Sequence, residues 1–445
     1  MQNISLPADS PLLSTEFIYG VATSSFQIEG DRAGRSDNIW DTFCALPAAI
    51  EDGSNGDVAC EHVKFWQKDV ELIAELGVDA YRLSVSWSRV IQSDGSVNQQ
   101  GLRFYVNLVD ALVARGIQVF VTLYHWDLPQ TLEDNGGWLN RQTTDAFAFY
   151  TSVVAQALGN NVTAYATLNE PFCSAYLGYE TGIHAPGKTG VKNGRQAAHH
   201  LLVAHGKAMQ VLQKVCPNSK HGIVLNFSTC YPASGSAADK RASEFADQYH
   251  NHWYLMPLIE GRYPDVIHDL PLEHQPDIAP GDMALIRQPL DYLGVNYYNP
   301  TDYAANEHGE AVVVPPNGVP VTAMGWEINP AAFTALLLAL HQRYQLPPLY
   351  ITENGAAMED RLEQGEIKDD SRIAYYHAHL NAVHHAVVAG VDIKGYFAWS
   401  LMDNFEWSLG YTKRFGIVYV DYPTQQRIPK HSAKAYRTLL KTRAK

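Results

Sequence analysis

The sequence predicts an α/β protein, a single (β/α)8 TIM barrel spanning residues 1–445, with long strand-to-helix loops around one opening. Three observations predict it. Eight short apolar or β-branched runs recur along the chain, helical periodicity fills the intervals between them, and nearly every run ends on a polar or aromatic residue. Strands that alternate with helices pair in parallel, and eight such units close into a barrel. A doubly wound open sheet usually needs fewer strands, and the glycine-rich phosphate turn it often carries is missing here.

The eight runs are, in order, FIYGVATSSFQ (17–27), DAYRLSVSW (79–87), QVFVTLYHW (118–126), AYATLNE (164–170), HGIVLNFS (221–228), DYLGVNYY (291–298), PLYITEN (348–354) and IKGYFAWS (393–400). Between them, Trp66, Val70, Ile73 and Gly77 fall at i, i+4, i+7 and i+11, and Leu102, Tyr105, Val109, Leu112 and Val113 trace another single face. Gly77 and Gly116 stand where these two helices should stop. Further helical stretches cover 141–158, 194–215, 237–256, 329–345 and 370–389. The segments 31–57, 178–193, 262–280 and 301–325 carry Gly, Pro, Asn and Asp without periodicity and are expected to be barrel loops.

Composition narrows the class. The chain is 46% hydrophobic and 18% charged, the balance of a globular protein. Its formal net charge is −14, and basic residues do not cluster beyond pairs except in the terminal KTRAK. Such acidity argues against a nucleic acid or an anionic membrane as partner. The start, MQNISLPADSPLLST, does not have the pattern of a secretion signal, and no run of 18 apolar residues predicts a membrane span. The five cysteines, Cys44, Cys60, Cys173, Cys216 and Cys230, form no Cys-x-x-Cys pair and are expected to be reduced and buried. A cytoplasmic location is expected. Composition says nothing of oligomeric state.

The C-terminal ends of barrel strands converge on one opening, so the residues there carry function. They are Gln27, Trp87, His125, Trp126, Asn169, Glu170, Asn226, Tyr298, Glu353, Asn354 and Trp399. Singly, each is an ordinary cap or rim residue. Together they interleave amides, carboxylates and a histidine with Trp and Tyr. Such a ring suits a sugar, whose hydroxyls need paired donors and acceptors and whose C–H face packs on an indole. Two carboxylic acids across a glycosidic bond would complete a hydrolase.

TLNEP (167–171) and ITENG (351–355) closely resemble the two carboxylate motifs of glycoside hydrolase family 1, the β-glucosidase family. GVATSSFQIEG (20–30), YRLSVSWSRV (81–90), TLYHWDLPQ (122–130), GVNYYNP (294–300), WSLMDNFEW (399–407) and RFGIVYVD (414–421) match in the same order. The resemblance implies a retaining enzyme with Glu353 as nucleophile and Glu170 as general acid/base. It implies that Gln27, His125, Asn169 and Trp407 hold ring hydroxyls, that Glu406 binds the 4- and 6-hydroxyls, and that Trp399 stacks beneath the sugar. Arg82 and Tyr298 would contact the nucleophile, with Asn296 close by and Trp126 beside His125 at the sugar. Trp326 and Phe415 would border the leaving-group side, and Phe172, Cys173, Leu177 and His184 the way in.

Elementary electrostatics gives these roles a reason. A cation at Arg82 would keep Glu353 ionised, although Arg82 could equally serve as an interior ion-pair partner. Glu170 must hold its proton through burial or through the charge of Glu353, and would become more acidic once Glu353 is esterified. Pro171 is expected to bias Glu170 towards extended backbone. Other polar groups have simpler expected roles. His199, His200, His205, His250 and His252 are expected to be surface or hydrogen-bonded core side chains rather than metal ligands. Tyr297 should pack, Glu29 and Asp127 should fix loops, and Glu359, Asp360, Glu363 and Glu366 should be solvated.

Three rival readings are weaker. A 6-phospho-β-glycosidase of the same family carries Ser, Lys and Tyr for the phosphate, where this chain has Glu406, Lys413 and Phe415, and a carboxylate would repel a phosphate dianion. A barrel that binds sugar without cleaving it would not need both glutamates. A metal-dependent enzyme would need more clustered ligands than Glu170, Glu353 and His125. No metal and no cofactor are expected, and the expected partner is a small β-glucoside or oligosaccharide.

Overall fold

The computed structural model describes residues 3–443; the last two residues of the KTRAK tail and the first two of the N-terminal segment lie outside them. Eight parallel strands close into a barrel: β1 (Ile18–Ala22), β2 (Ala80–Ser84), β3 (Gln118–Tyr124), β4 (Ala164–Asn169), β5 (Lys220–Phe227), β6 (Tyr292–Tyr297), β7 (Leu349–Asn354) and β8 (Ile393–Trp399). Each pairs with its chain neighbour, and β1 closes the ring on β8 with Gly20 opposite Phe397. The helices that follow them in turn are α1 (His62–Leu76), α2 (Gln99–Val113), α3 (Gln142–Leu158), α4 (Val191–Val215), α5 (Ala237–Asp247), α6 (Pro330–Arg343), α7 (Asp370–Val388) and α8 (His431–Lys441).

The outer layer forms because each helix buries one stripe. In α2 that stripe is Tyr105, Leu108, Val109 and Leu112. Val113, expected on it, is 42% exposed because it follows Leu112 by one residue, about 100° round the helix, at the margin of the stripe and in the last helical position. At the end of α1, Gly77 takes φ +75°, the left-handed conformation that glycine adopts without a Cβ clash. The barrel interior is a separate cluster. Phe120, Tyr292, Tyr350 and Phe397 interlock edge to face at its base, with Phe120 and Phe397 4.9 Å apart. Gly20 leaves room for them: a Cβ there would lie 2.4 Å from the Phe397 ring.

Two strands stop earlier than their composition predicts. After β1 the chain turns at Thr23, whose N–H bonds to the Arg82 carbonyl, and Gln27 falls on a one-turn helix, Ser25–Ile28. After β2 another single turn, Trp87–Val90, carries Trp87 onto Tyr150, with ring centroids 5.0 Å apart, so Trp87 is core and not part of the opening.

One expectation about polar groups changes, and the one about thiols changes in part. Asp360 is not solvated: its side chain is fully buried, held by both guanidinium nitrogens of Arg372 and by Lys430. Glu359 and Glu363 are exposed, as expected. Of the cysteines, Cys60, Cys173 and Cys216 are buried, and Cys44 and Cys230 are half-buried, all as free thiols. The histidines find core partners. His199 lies between Tyr263 and Asp282, His200 against the Trp138 carbonyl, His205 on Thr167, His250 on Asn226, and His252 on Tyr344. Glu29 takes Arg89 and Tyr105, and Asp127 accepts from Ser25, so both fix loops. Tyr297 stacks on Phe333 at 4.3 Å. No helix among the described residues is long and apolar enough to cross a membrane.

Candidate active site

A strand alternates its side chains, so consecutive residues cannot both face the interior unless the ladder slips. It slips in both strands that end on glutamate. In β4 the register with β5 shifts between Ala166 and Asn169, and in β7 the register with β6 shifts between Ile351 and Glu353. Ala166 and Tyr350 still belong to the barrel interior. Beyond the slips, Asn169 with Glu170, and Thr352 with Glu353, both turn into the site.

Glu170 itself has φ +46°. The extended backbone expected ahead of Pro171 is therefore not adopted. Its N–H bonds to the Val224 carbonyl at 2.9 Å and its carbonyl accepts from Cys173 at the start of the next helical turn. With the backbone tied on both sides, the left-handed conformation is the one that aims the carboxyl inward, a strained geometry that function-bearing residues often keep.

One hydrogen-bonded chain then joins the two carboxyls. Arg82 donates to Glu353 Oε1 at 2.6 Å and to Asn169 Oδ1 at 2.7 Å. Asn296 donates to the same Asn169 oxygen at 3.1 Å and to Glu170 Oε1 at 2.6 Å. Thr352 donates to Asn296 Oδ1 at 2.7 Å, which leaves that amide only one orientation. Tyr298 gives its hydroxyl proton to Glu353 Oε2 at 2.6 Å, and Cys173 Sγ lies 3.0 Å from Glu170 Oε2. Arg82 is thus an interior ion-pair partner and a contact of Glu353 at once.

The same logic sets the histidine. Both hydrogen-bonded partners of Asn169 Oδ1 are donors, so its amide nitrogen faces His125 Nε2, 3.1 Å away, and that nitrogen accepts. Burial drives the imidazole pKa well below 6.5, with the Arg82 charge adding to it, so the ring is neutral and carries its proton on Nδ1. Nδ1 is buried without a protein partner, as is Oε2 of Glu406. A buried donor and a buried acceptor, both unpaired, are what a polar ligand would satisfy.

Burial, the charge of Glu353 and weaker opposing bonds from Asn296 and Cys173 place the Glu170 carboxyl at about 8. Burial, then Glu353 and Glu170, likewise raise Glu406 to about 8. Around these groups stand the aromatics. Trp399 and Trp407 lie nearly parallel to His125, with ring centroids 5.9 and 6.0 Å from it. Trp126 reaches over to the Asn169 carbonyl through its indole N–H at 2.9 Å and lies 4.7 Å from Trp407. Tyr298, Trp326 and Phe415 form a second aromatic wall.

Gln27 arrives by another route. Both its amide hydrogens go to the loop after β8, to Asn404 Oδ1 and the Phe405 carbonyl, and its oxygen accepts from the Ser24 hydroxyl at 2.6 Å, so one lone pair of that oxygen remains for a ligand. His184 borders Trp126 and Trp40, Leu177 is half-buried, and Phe172 is taken up in a stack with Tyr176 and His250. Asn226 pairs with His250, and Asn354 is spent on the Tyr297 carbonyl, Tyr375 and Tyr396. Thr352, Ser24 and Asn404 are site residues that composition did not suggest. The signal for Thr352 was present, a hydroxyl beside a strand-end glutamate, but it cannot be read without the register slip.

Two carboxyls joined through a guanidinium and two amides, beneath indole faces and unpaired polar atoms, can position a glycoside and move a proton beside it. The sequence profile of Glycosyl hydrolase family 1 matches residues 10–445. The chain belongs to glycosyl hydrolase family 1. A β-glucosidase of an Agrobacterium species is 43% identical to it over 432 residues, 95% of this chain and 94% of that protein. A bifunctional β-D-glucosidase/β-D-fucosidase of Bifidobacterium breve is 41% identical over 454 residues, 95% of this chain and 97% of its own. A β-glucosidase from Thermotoga maritima, solved in complex with glucoimidazole, has a TM-score of 0.95 at 42% identity, covering 99% of this chain and 100% of that one. This glycosyl hydrolase family 1 member is therefore an O-glycosyl hydrolase built on a (β/α)8 barrel.

Proposed function

We propose that this enzyme is a cytoplasmic, retaining β-glucosidase that removes terminal β-D-glucosyl residues from the non-reducing ends of short oligosaccharides such as cellobiose and from aryl and alkyl β-glucosides. The observation that carries the reading is the contrast between its two carboxyls. Glu353 is met by a guanidinium and a phenol, whereas Glu170 is buried and holds its proton to about 8. In the first step Glu353 attacks the anomeric carbon while Glu170 gives its proton to the leaving oxygen. Esterification of Glu353 removes the charge that raised Glu170, so Glu170 then accepts a proton from water. That water attacks the anomeric carbon and frees Glu353.

The remaining roles are those the family resemblance implies for these positions. His125 Nδ1–H and the Gln27 oxygen would meet the ring hydroxyls, Glu406 the 4- and 6-hydroxyls, and Asn169 the 2-hydroxyl. Trp399 would lie beneath the sugar, and Trp326 and Phe415 beside the leaving group. Glu406 can accept either orientation of a 4-hydroxyl, which supports galactoside and fucoside cleavage as side activities, and a hydroxyl of a second sugar in place of water, giving its proton to Glu170, would give transglycosylation. The test is phenolate release from an aryl β-glucoside, with chelator present, by the intact chain and by Glu353→Gln. Rapid release by the first and almost none by the second is expected. Undiminished activity in the variant would remove Glu353 as nucleophile.

A further inference from the structure

Behind the site, the loop that follows β7 and the loop that follows β8 are joined by a buried ionic bridge. Lys430, immediately before α8, has no exposed side-chain surface. Its Nζ donates to Asp360 Oδ2 at 2.5 Å and to Asp403 Oδ1 at 2.7 Å. Asp360 stands seven residues after Glu353, and Asp403 three before Glu406. Both carboxylates are as buried as the lysine.

Each arm of the bridge ends on a loop that reaches the sugar site. Asp403 takes the guanidinium of Arg414 at 2.6 Å and the N–H of Gly416 at 3.0 Å. Phe415 therefore lies between two residues clamped by one carboxylate. The residue after Asp403, Asn404, accepts the Gln27 amide and precedes Phe405, Glu406 and Trp407. On the other arm, Arg372 holds Asp360 with both nitrogens and also donates to the Ala356 and Arg414 carbonyls. A salt bridge so far from water adds little net stability, since the charges lose hydration on burial, but it strongly disfavours any arrangement that leaves one of them unpaired. It fixes the separation of two loops rather than the stability of either.

We infer that Lys430 is a positioning residue for substrate selection: by bridging Asp360 and Asp403 it sets where the loop carrying Glu406, Trp407 and Phe415 stands relative to the strand carrying Glu353. The inference rests on the glucosidase reading and extends it to a residue that touches no sugar. The bridge should matter most for a substrate that uses the 6-hydroxyl, because that contact belongs to the held loop.

The test compares an aryl β-glucoside with the aryl β-xyloside, which lacks the C6 hydroxymethyl group. Lys430→Met alone leaves two buried carboxylates short of a partner and is a poor folding risk. The paired variant Lys430→Met with Asp360→Asn removes one charge of each sign, while Arg372 still serves position 360 and Arg414 still serves Asp403. In that variant kcat/KM for the glucoside should fall at least about tenfold, chiefly through KM, and for the xyloside less than about threefold. Loss of folded protein would lower both substrates together and leave their ratio unchanged. An unchanged ratio in folded paired variant overturns the inference, and so does failure of that variant to fold, which would make the bridge a folding element only. If the intact chain cleaved neither glycoside, the functional reading would fall first, and this inference with it.

Discussion

Replacing Glu353 with Gln takes one negative charge from beside Glu170 while leaving its burial almost unchanged. In the intact protein the Glu170 carboxyl is raised from 4.5 to about 8. That difference is worth ~5 kcal/mol against ionisation. The proposed retaining mechanism requires the two glutamates to stand about 5 Å apart, and at that separation and an effective dielectric of about 20 their repulsion is ~3 kcal/mol, or ~2 pH units. Burial, the larger cause, supplies the rest and is itself opposed by Asn296, Cys173 and Arg82. In Glu353→Gln the titration midpoint of Glu170 should therefore drop by ~2 pH units and stop short of an ordinary glutamate. Carbon-13 NMR of labelled glutamate carboxyls reads this directly in both proteins, with Glu170→Gln assigning the resonance. The intact enzyme should also lose kcat/KM on the alkaline side with a midpoint at about 8, since the acid must arrive protonated. A midpoint that does not move in the variant would refute the claim that charge from Glu353 primes the acid.

Two further outcomes follow from the same geometry. Thr352→Val removes the donor that orients Asn296 and should lower kcat about 5- to 150-fold with little change in KM, the effect of ~1–3 kcal/mol for one orphaned buried partner, measured by steady-state kinetics. Glu406→Gln concerns stability. Its carboxyl binds a proton more tightly folded than unfolded, so its stabilising contribution is full below 4.5 and is lost as pH rises from there through about 8. The variant's Tm advantage over the intact chain should accordingly grow between about pH 5 and about pH 8.5; a constant difference would count against a raised pKa at Glu406.

The alternation of strands and helices was legible because period-two and period-3.6 patterns are set by local geometry. Gly77 was legible as a helix stop for the same reason, since a left-handed residue is cheapest without a Cβ. Trp87 was not. It follows a run of strand-forming residues, and only the early turn after β2 sends it to Tyr150 instead of the opening. Asp360 reads as one more acid in a polar loop until Arg372 and Lys430, 12 and 70 residues away, arrive to bury it.

Both catalytic candidates were visible as glutamates at strand ends, and the residues that would surround a sugar were visible as a ring of Trp, Tyr, His and amides. What makes them a site was decided only in three dimensions. The register slips that turn Asn169–Glu170 and Thr352–Glu353 inward depend on which strand lies alongside, and the left-handed backbone of Glu170 depends on a carbonyl from β5. The sequence by itself determined the elements and the chemistry available at their ends, because both follow from residue type and spacing. Tertiary structure alone decided which donors face which oxygens, and so which carboxyl keeps its proton, because electrostatics and hydrogen bonding act through ångströms of space and not along the chain.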